Sequence, residues 1–291
     1  MTDHQKILRK RRRTQRKEAW KRLRRNKSAM VGLGILLILI LVAIFAPVIA
    51  PYHYDAQDWQ NTNQYPSLAH LLGTDNFGRD ILSRLIYGSR VSLQIGLIAV
   101  GIGAVIGGFF GAVAAFYGGW VDNVIMRCVD VVLAIPSTLL AISISAALGP
   151  GLTNAMVAIG VGSAPVYARI VRASVLTVKE QEFVAAAQCI GASDFRIILH
   201  EIIPNALSPI IVQATLGVAS AILSAAALSF IGLGIQPPSP EWGAMLSAGR
   251  VYIRDFWPIV TFPGVTIMIT IFALNLFGDG LRDLIDPRLK R

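Results

Sequence analysis

MVGLGILLILILVAIFAPVIA, Met30 to Ala50, is an unbroken apolar run without one charged side chain. A helix rises about 1.5 Å per residue, so about 20 such residues cross the ~30 Å hydrocarbon core of a bilayer. The run is longer than the apolar core of a secretory signal, roughly 7–15 residues. Val48-Ile49-Ala50 is also a poor small-residue cleavage site, so the run reads as an uncleaved membrane anchor.

Five more runs follow. They are Val91 to Tyr117, Val131 to Leu148 with Pro136 inside it, roughly Leu152 to Val171 with Arg169 near its end, Ala206 to Ile235, and Trp257 to Phe277. Six spans make the expected fold an all-α integral membrane protein. Composition agrees: only 15% of the 291 residues are charged, against about 25% for a soluble domain. Cys128 and Cys189 have neither zinc-site spacing nor the density of a disulfide scaffold, and read as free thiols.

The formal net charge of +10 is concentrated at one end. In residues 1–28 the many Lys and Arg face only Asp3 and Glu18. A basic block directly before an apolar run marks the cytoplasmic side and attracts anionic lipid, so it points to membrane rather than nucleic acid. Parity then puts 51–90, 149–151 and 236–256 outside. It puts 118–130 (a short turn), 172–205 and the tail from Gly278 inside, so both termini are cytoplasmic.

No Asp, Glu, Lys or His falls in the middle of any expected span. Ion-coupled transporters and channels usually need such groups, so that class is disfavoured. The chain also has no G-x-x-x-x-G-K-[ST] phosphate loop. Uphill transport would therefore draw its energy from another protein. Gly103, Gly107 and Gly111 are spaced by four, as are Ala104, Gly108 and Ala112. The fifth span is equally rich in small residues (Gly217, Ala219, Ser220, Ala221, Ser224 to Ala227). Such faces let helix backbones approach closely, within the chain or across an interface. Pro136 should kink the third span, either as plain structure or as an opening onto a solute path.

The loop VKEQEFVAAAQCIGASDFRIILHEIIPNALSP, between the fourth and fifth spans, is too long and polar for a turn. Glu180 to Ile190 is made largely of good helix formers. Gly191 is a natural C-terminal stop. Ser193 or Asp194 is suited to cap a second helix, which should end at Pro204. In it Phe195, Ile198, Leu199 and Ile202 form one apolar stripe at helical spacing. Such a helix either lies on lipid or fits a groove on a partner.

This loop resembles the EAA loop of ATP-binding-cassette importer permeases: Glu-Ala-Ala, three residues, Gly, nine residues, Ile-x-Leu-Pro. Ala186, Ala187, Gly191 and Pro204 match in register. Ala185 stands in place of Glu, Glu201 in place of Ile, and Ile203 in place of Leu. RRNKSAMVG, LGTDNFGRDILSRLIYGSRVSL (Leu72 to Leu93), FIGLGIQPPSPEWGAML (Phe230 to Leu246) and GDGLRDLIDPRLKR (Gly278 to Arg291) are similar to the second-subunit, or "C"-type, members of the peptide and nickel permease family.

The resemblance implies a type I importer fold. Its parts are a basic cytoplasmic tail (1–28), a first span with an extracytoplasmic segment (29–90), a transmembrane domain (91–280) with the EAA loop at about 180–205, and a cytoplasmic tail (281–291). It also implies a prokaryotic cell membrane, a homologous "B"-type permease, two ATPase subunits that bind ATP and Mg, and an extracytoplasmic solute-binding protein. No cofactor is expected in this chain. The ATPase-coupling residues would be Ala185, Ala186, Ala187, Gly191, Ala192, Ser193, Asp194, Phe195, Arg196 and Pro204. An uncharged lining suits peptides, whose side chains vary in charge, better than nickel.

On the outer side, TDNFGRD reads as a short helix at the membrane surface, with Asp80 and Arg84 paired at i, i+4. It has too few oxygen ligands for a calcium loop. PPSPEWG (Pro237 to Gly243) reads as a stiff connector, or as a docking or gating loop.

Overall fold

A computed structural model describes residues 21–285. Residues 1–20 of the basic tail and 286–291 of the C-terminal tail lie outside the described residues. Nine helices of eight residues or more carry the described part. They are α1 (Lys27–Ile44), α2 (Ile81–Tyr117), α3 (Gly119–Leu133), α4 (Ser137–Leu148), α5 (Leu152–Lys179), α6 (Glu182–Cys189), α7 (Ile203–Phe230), α8 (Trp242–Gly249) and α9 (Pro258–Ile285). A further turn at Ala46–Ile49 extends α1. Five segments are long and apolar enough to cross a membrane, and six if α3 and α4 are counted as one bent span. The expected number of spans therefore stands, and several boundaries do not.

The second span begins at Ile81, not Val91, because Asp80 caps it. The Asp80 carboxylate accepts from the Ser83 N–H at 2.7 Å. The resulting 37-residue helix is about 55 Å long, longer than the hydrocarbon core. Its polar first turns, with Arg84 and Arg90, were hidden from a search for apolar runs. The fourth span likewise continues past Val171 to Lys179. The fifth ends at Phe230, not Ile235: the Gly232 N–H donates to the Ser229 carbonyl and the Leu233 N–H to the Leu228 carbonyl. These are the bonds of a glycine-terminated helix, and Gly232 has φ +82°.

The third span is the largest correction. The expected inner turn at 118–130 is the helix α3, and α3 meets α4 at an 85° bend. Pro136 has no N–H to give a helix and pushes the residue before it toward extended backbone. The chain therefore stops at Leu133 and restarts at Ser137. With 12 residues, α4 is about 18 Å long and does not span the core alone. The kink reading of Pro136 holds, in a stronger form.

The closest helix pair is α2 with α5. Gly103, Gly107 and Gly111 lie against Gly160, Ala164 and Ala168. A side chain at Gly107 or Gly111 would collide with the carbonyl oxygens of Ala164 or Ala168. Gly160 in turn lies against the Ala99 carbonyl, 2.9 Å from where a Cβ would sit. This first glycine row packs within the chain. In the parallel row, Gly108 meets only Val171, at 3.9 Å. Above this seam a core of Ile95, Ala99, Ile159, Tyr167, Val218, Ile222 and Leu274 joins α2, α5, α7 and α9.

Replacing Gly107 with Ala should push two backbones apart at a cost of about 1–3 kcal/mol. Thermal unfolding in detergent should show it as a Tm several degrees lower. Gly101 lies on the same helix with nothing within 4 Å. Gly101→Ala should leave Tm unchanged or raise it, because alanine is the better helix former.

Candidate functional site

The loop between α5 and α7 is built as a rigid knob. Helix α6 ends at Gly191, whose φ of +77° suits glycine. The Gly191 N–H reaches the Gln188 carbonyl at 2.9 Å and the Ala192 N–H reaches the Ala187 carbonyl at 3.1 Å. These two bonds close the helix end. Ala187 and Ala192, which face each other across the turn, are both half-buried. Ser193 occupies the cap position of the next turn, and its side chain makes no cap bond. Asp194 is the first helical residue.

Two expectations fail beyond that point, for one reason. Residues Ile197–Ile202 wind as a π-helix, in which the Ile203 N–H bonds back five residues to the Ile198 carbonyl. The wider turn changes the face. Ile197 and Ile202, five apart, are buried and Ile198 is half-buried, while Phe195 and Leu199 of the expected stripe are exposed. Pro204 does not end the helix. It sits just past the π-turn, inside the helix that runs on from Asp194, and its missing N–H leaves one helix bond unmade. The Asn205 side chain donates to the Glu201 carbonyl at 2.6 Å, so this carbonyl next to the proline is satisfied. The segment from Asp194 to Phe230 is one continuous apolar helix by length and composition.

The knob is seated on the joined ends of α2 and α5. Val184, Ile197, Ile202 and Ala206 are buried against Ala112, Ala115, Phe116, Val171 and Val175. Lys179 donates to the Phe116 carbonyl at 2.5 Å and to that of Ala115 at 3.4 Å, so a cation caps the C-terminal end of α2. Arg172 grips Asp122 of α3 through two bonds of 2.6 and 2.5 Å, and Arg169 pairs with Asp130 at 2.6 Å. Outward from this seat, Ala185, Ala186, Gly191, Ser193, Asp194, Phe195, Arg196 and Pro204 are all exposed. Ile190 and Phe195, 84% and 73% exposed, flank the glycine turn. The structure thus brings the turn residues from Gly191 to Arg196 together at one tip. Pro204 lies away from it, at the base.

The opposite side of the bundle holds a buried polar hub. TDNFGRD is a tight loop closed by a bridge between Thr74 and Asp80, not a surface helix. Asp75 accepts from the Phe77 and Arg79 N–H groups and pairs with the Arg79 guanidinium at 2.7 Å. Asp80 does not pair with Arg84. It accepts from Ser83 and meets His70 at 3.0 Å. Arg84 turns to Asp75 at 3.6 Å and donates to the carbonyls of Tyr54 and Pro238. Buried charges persist only when paired and hydrogen-bonded, so tertiary neighbours decided the partner. PPSPEWG is pinned to this hub. Trp242 is fully buried and its indole N–H donates to the Leu85 carbonyl at 3.1 Å. Glu241, also buried, accepts from the Gly243 and Ala244 N–H groups at 2.7 Å each.

Midway between these two ends, beside the α3–α4 bend, lies a cavity of about 220 Å³. Ser137 of α4, Ser163 and Tyr167 of α5, and Gln213, Ser220 and Ser224 of α7 give it its polar groups. Sequence reasoning left the solute path unassigned. The signal was present as Gln213, Gly217, Ser220 and Ser224, which fall on one helix face. Composition alone shows Gly217, Ser220 and Ser224 as small residues, and Gln213 stands out only once the helix face is known.

Comparison with known proteins follows the same outline. The family described as the inner membrane component of binding-protein-dependent transport systems matches residues 103–291. The N-terminal membrane domain of oligopeptide transport permease C matches residues 14–66. The dipeptide transport system permease protein DppC of Alkalihalophilus pseudofirmus is 50% identical over 274 residues, 94% of this chain and 90% of that one. The di/tripeptide permease DppC of Pseudomonas aeruginosa is 46% identical over 94% of this chain and 92% of its own length. The glutathione permease GsiD of Escherichia coli is 47% identical over 94% and 90%. Among solved structures, a chain of the MetNI methionine ABC transporter, in an inward-facing conformation, superposes with a TM-score of 0.57. It is 20% identical, and the match covers 71% of this chain and 98% of that one. The fold is therefore that of the membrane subunits of ABC importers.

Glu241 offers a pH test of the hub. Burial pushes its carboxyl above the ordinary 4.5, outweighing the hydrogen bonds from Gly243, Ser229 and Ala244, which pull it down. A carboxyl whose folded pKa is raised binds its proton more tightly folded than unfolded. Its contribution is complete below the ordinary carboxylate range and is lost as pH rises through the raised value. Thermal stability should fall as pH rises through that interval, and Glu241→Gln should flatten that part of the profile.

Proposed function

The chain belongs to the family of inner membrane components of binding-protein-dependent transport systems, and from that premise we propose that it is one of two permease subunits of an ATP-binding-cassette importer of short peptides. What carries the reading is kinship along nearly the whole chain. The relatives are named for dipeptides, for di- and tripeptides and for glutathione, itself a tripeptide. Their shared chemistry is the short peptide.

In this reading the membrane is a prokaryotic cell membrane. The partners are a homologous "B"-type permease, two ATPase subunits and an extracytoplasmic binding protein. ATP and Mg belong to the ATPases, and this chain is not itself an enzyme. Both termini are cytoplasmic. The Lys and Arg residues ahead of α1 support that side. The Asn26 amide donates to Asp283 at 3.3 Å, which supports a shared side for the two ends of the described chain.

The knob around Gly191 is the lever on which the ATPases act. A lever must present a contact surface and must not deform. Ile190 and Phe195 supply exposed apolar surface, and an amphipathic knob in a partner's groove is a common mode of recognition. The closed glycine turn and the seat on Val171, Val175 and Phe116 supply stiffness. Arg172 with Asp122 and Lys179 with Phe116 tie the seat to α3 and α2.

Vesicles holding all the partners should accumulate labelled dipeptides when ATP is supplied, and omission of this chain should abolish uptake. Gly191→Val places a β-branched residue at φ +77°, a costly conformation. ATP hydrolysis should persist in that variant and the subunits should co-purify, while uptake falls at least about ten-fold. Uptake of nickel but of no peptide would overturn the solute class. Unaltered uptake by Gly191→Val would overturn the lever.

A further inference from the structure

We propose that the cavity beside the Pro136 bend is half of a solute site, built to hold the main chain of a peptide and to ignore its side chains. The proposal rests on the importer reading above and names where the solute is held.

Four features of the wall point this way. The first is position. Ser163 lies near the middle of α5, and Gln213 and Ser220 lie in the middle part of α7. The site is therefore deep in the bundle, and the bend at Pro136 opens the wall there. The second is chemistry. The polar lining consists of hydroxyls and one amide, with no charged side chain. The Ser163 hydroxyl donates to the Gly160 carbonyl at 2.9 Å, which leaves its oxygen free to accept. Gln213 brings both a donor and an acceptor. A peptide unit carries one N–H and one C=O, and this set matches both. A charged wall would sort peptides by the charge of their side chains, and a neutral wall does not.

The third feature is smoothness. Gly162, Gly217, Ala141 and Ala221 keep much of the remainder smooth, and Val100, Ile159 and Val166 complete it with apolar surface. Gly217 leaves room for the Tyr167 hydroxyl, which a Cβ at 217 would strike. The fourth is size. About 220 Å³ falls below the roughly 300–1,000 Å³ of a complete ligand site, so the second wall is supplied by the partner permease. Larger cavities beside Cys128 and beside Phe195 are lined almost wholly by apolar side chains, and one of equal size beside Asn26 and Asp283 lies at the chain ends, away from the middle of the bundle.

The test adds charge to the wall within the complete importer in vesicles. Uptake of dialanine, alanylglutamate and alanyllysine is measured for the unaltered chain, Gln213→Glu and Ser220→Lys. ATP hydrolysis and co-purification report assembly. Relative to the unaltered chain, the glutamate-to-lysine uptake ratio should fall at least about ten-fold in Gln213→Glu. It should rise by a similar factor in Ser220→Lys. Unchanged ratios in either assembled variant overturn the half-site. If neither variant assembles, Ser224→Cys decides in a chain lacking Cys128 and Cys189: dialanine should slow its labelling by a membrane-impermeant thiol reagent, and unslowed labelling overturns the proposal. An unaltered importer that moves none of the three peptides overturns the peptide reading itself, and with it the ligand assigned here.

Discussion

The separation between α2 and α5, set by three glycines, governs the rest of the molecule. In lipid, burying apolar surface between helices gains little, because the surroundings are already apolar. Attraction then comes from close packing, and Gly103, Gly107 and Gly111 bring α2 into backbone contact with Gly160, Ala164 and Ala168. At one end of α5, Lys179 and Arg172 hold the seat of the knob. In its middle, Ser163 and Tyr167 form one wall of the cavity. At the other end, the Gly151 N–H donates to the Gly234 carbonyl. A change of even an ångström in the seam would be felt at all three places, since packed interiors do not absorb such shifts locally.

The seam also explains how a chain with few intramembrane charges keeps a definite shape. Its ion pairs are placed toward the ends of the bundle. His70, Asp75, Arg79, Asp80 and Arg84 are cross-bonded on one side. Asp122, Asp130, Arg169 and Arg172 are paired toward the other. Near the membrane surface such pairs can be hydrated or shielded, whereas at the centre they would be costly. Between them the bundle is held by apolar side chains, and the polar groups of its cavity are hydroxyls and one amide, with no charged side chain.

Much of this was legible beforehand, because hydropathy and punctuation are local signals. The spans followed from run length, and the stop at Gly191 from a glycine after helix formers. The spacing of the Gly103 row announced close helix packing but left open whether the partner helix belonged to this chain. Other features depended on information that is not local. A π-turn moves the buried positions from an α spacing to Ile197 and Ile202, and no residue type announces it. Arg84 chose Asp75 over the nearer-in-sequence Asp80 because Asp80 was already engaged in capping α2. The first turns of α2 were invisible to a hydropathy count, since they pack into a polar hub and not into lipid. PPSPEWG looked like a connector because its proline content suggests stiffness without saying what Trp242 and Glu241 are buried against.

The α3–α4 break is where these constraints leave freedom. A continuous helix transmits a push along its axis, since its hydrogen bonds resist bending; α2 runs past the cavity without a proline, and α5 and α7 stay helical there despite Pro165 and Pro209. The third span is not. Its bend at Pro136 lies between α3, clamped to α5 by Arg172 and Arg169, and α4, which carries Ser137 of the cavity wall. Rotation at 134–136 would break no interior helix bond, whereas rotation within α2, which holds no proline, would break several. In the proposed importer, a force entering through the knob would reach α5 and α3 together through their ion pairs, and α4 would be the part of the wall free to move against them. Among the described residues, the proline that stops a helix from spanning also separates α3, tied to α5 by its ion pairs, from α4 and the part of the cavity wall that α4 carries.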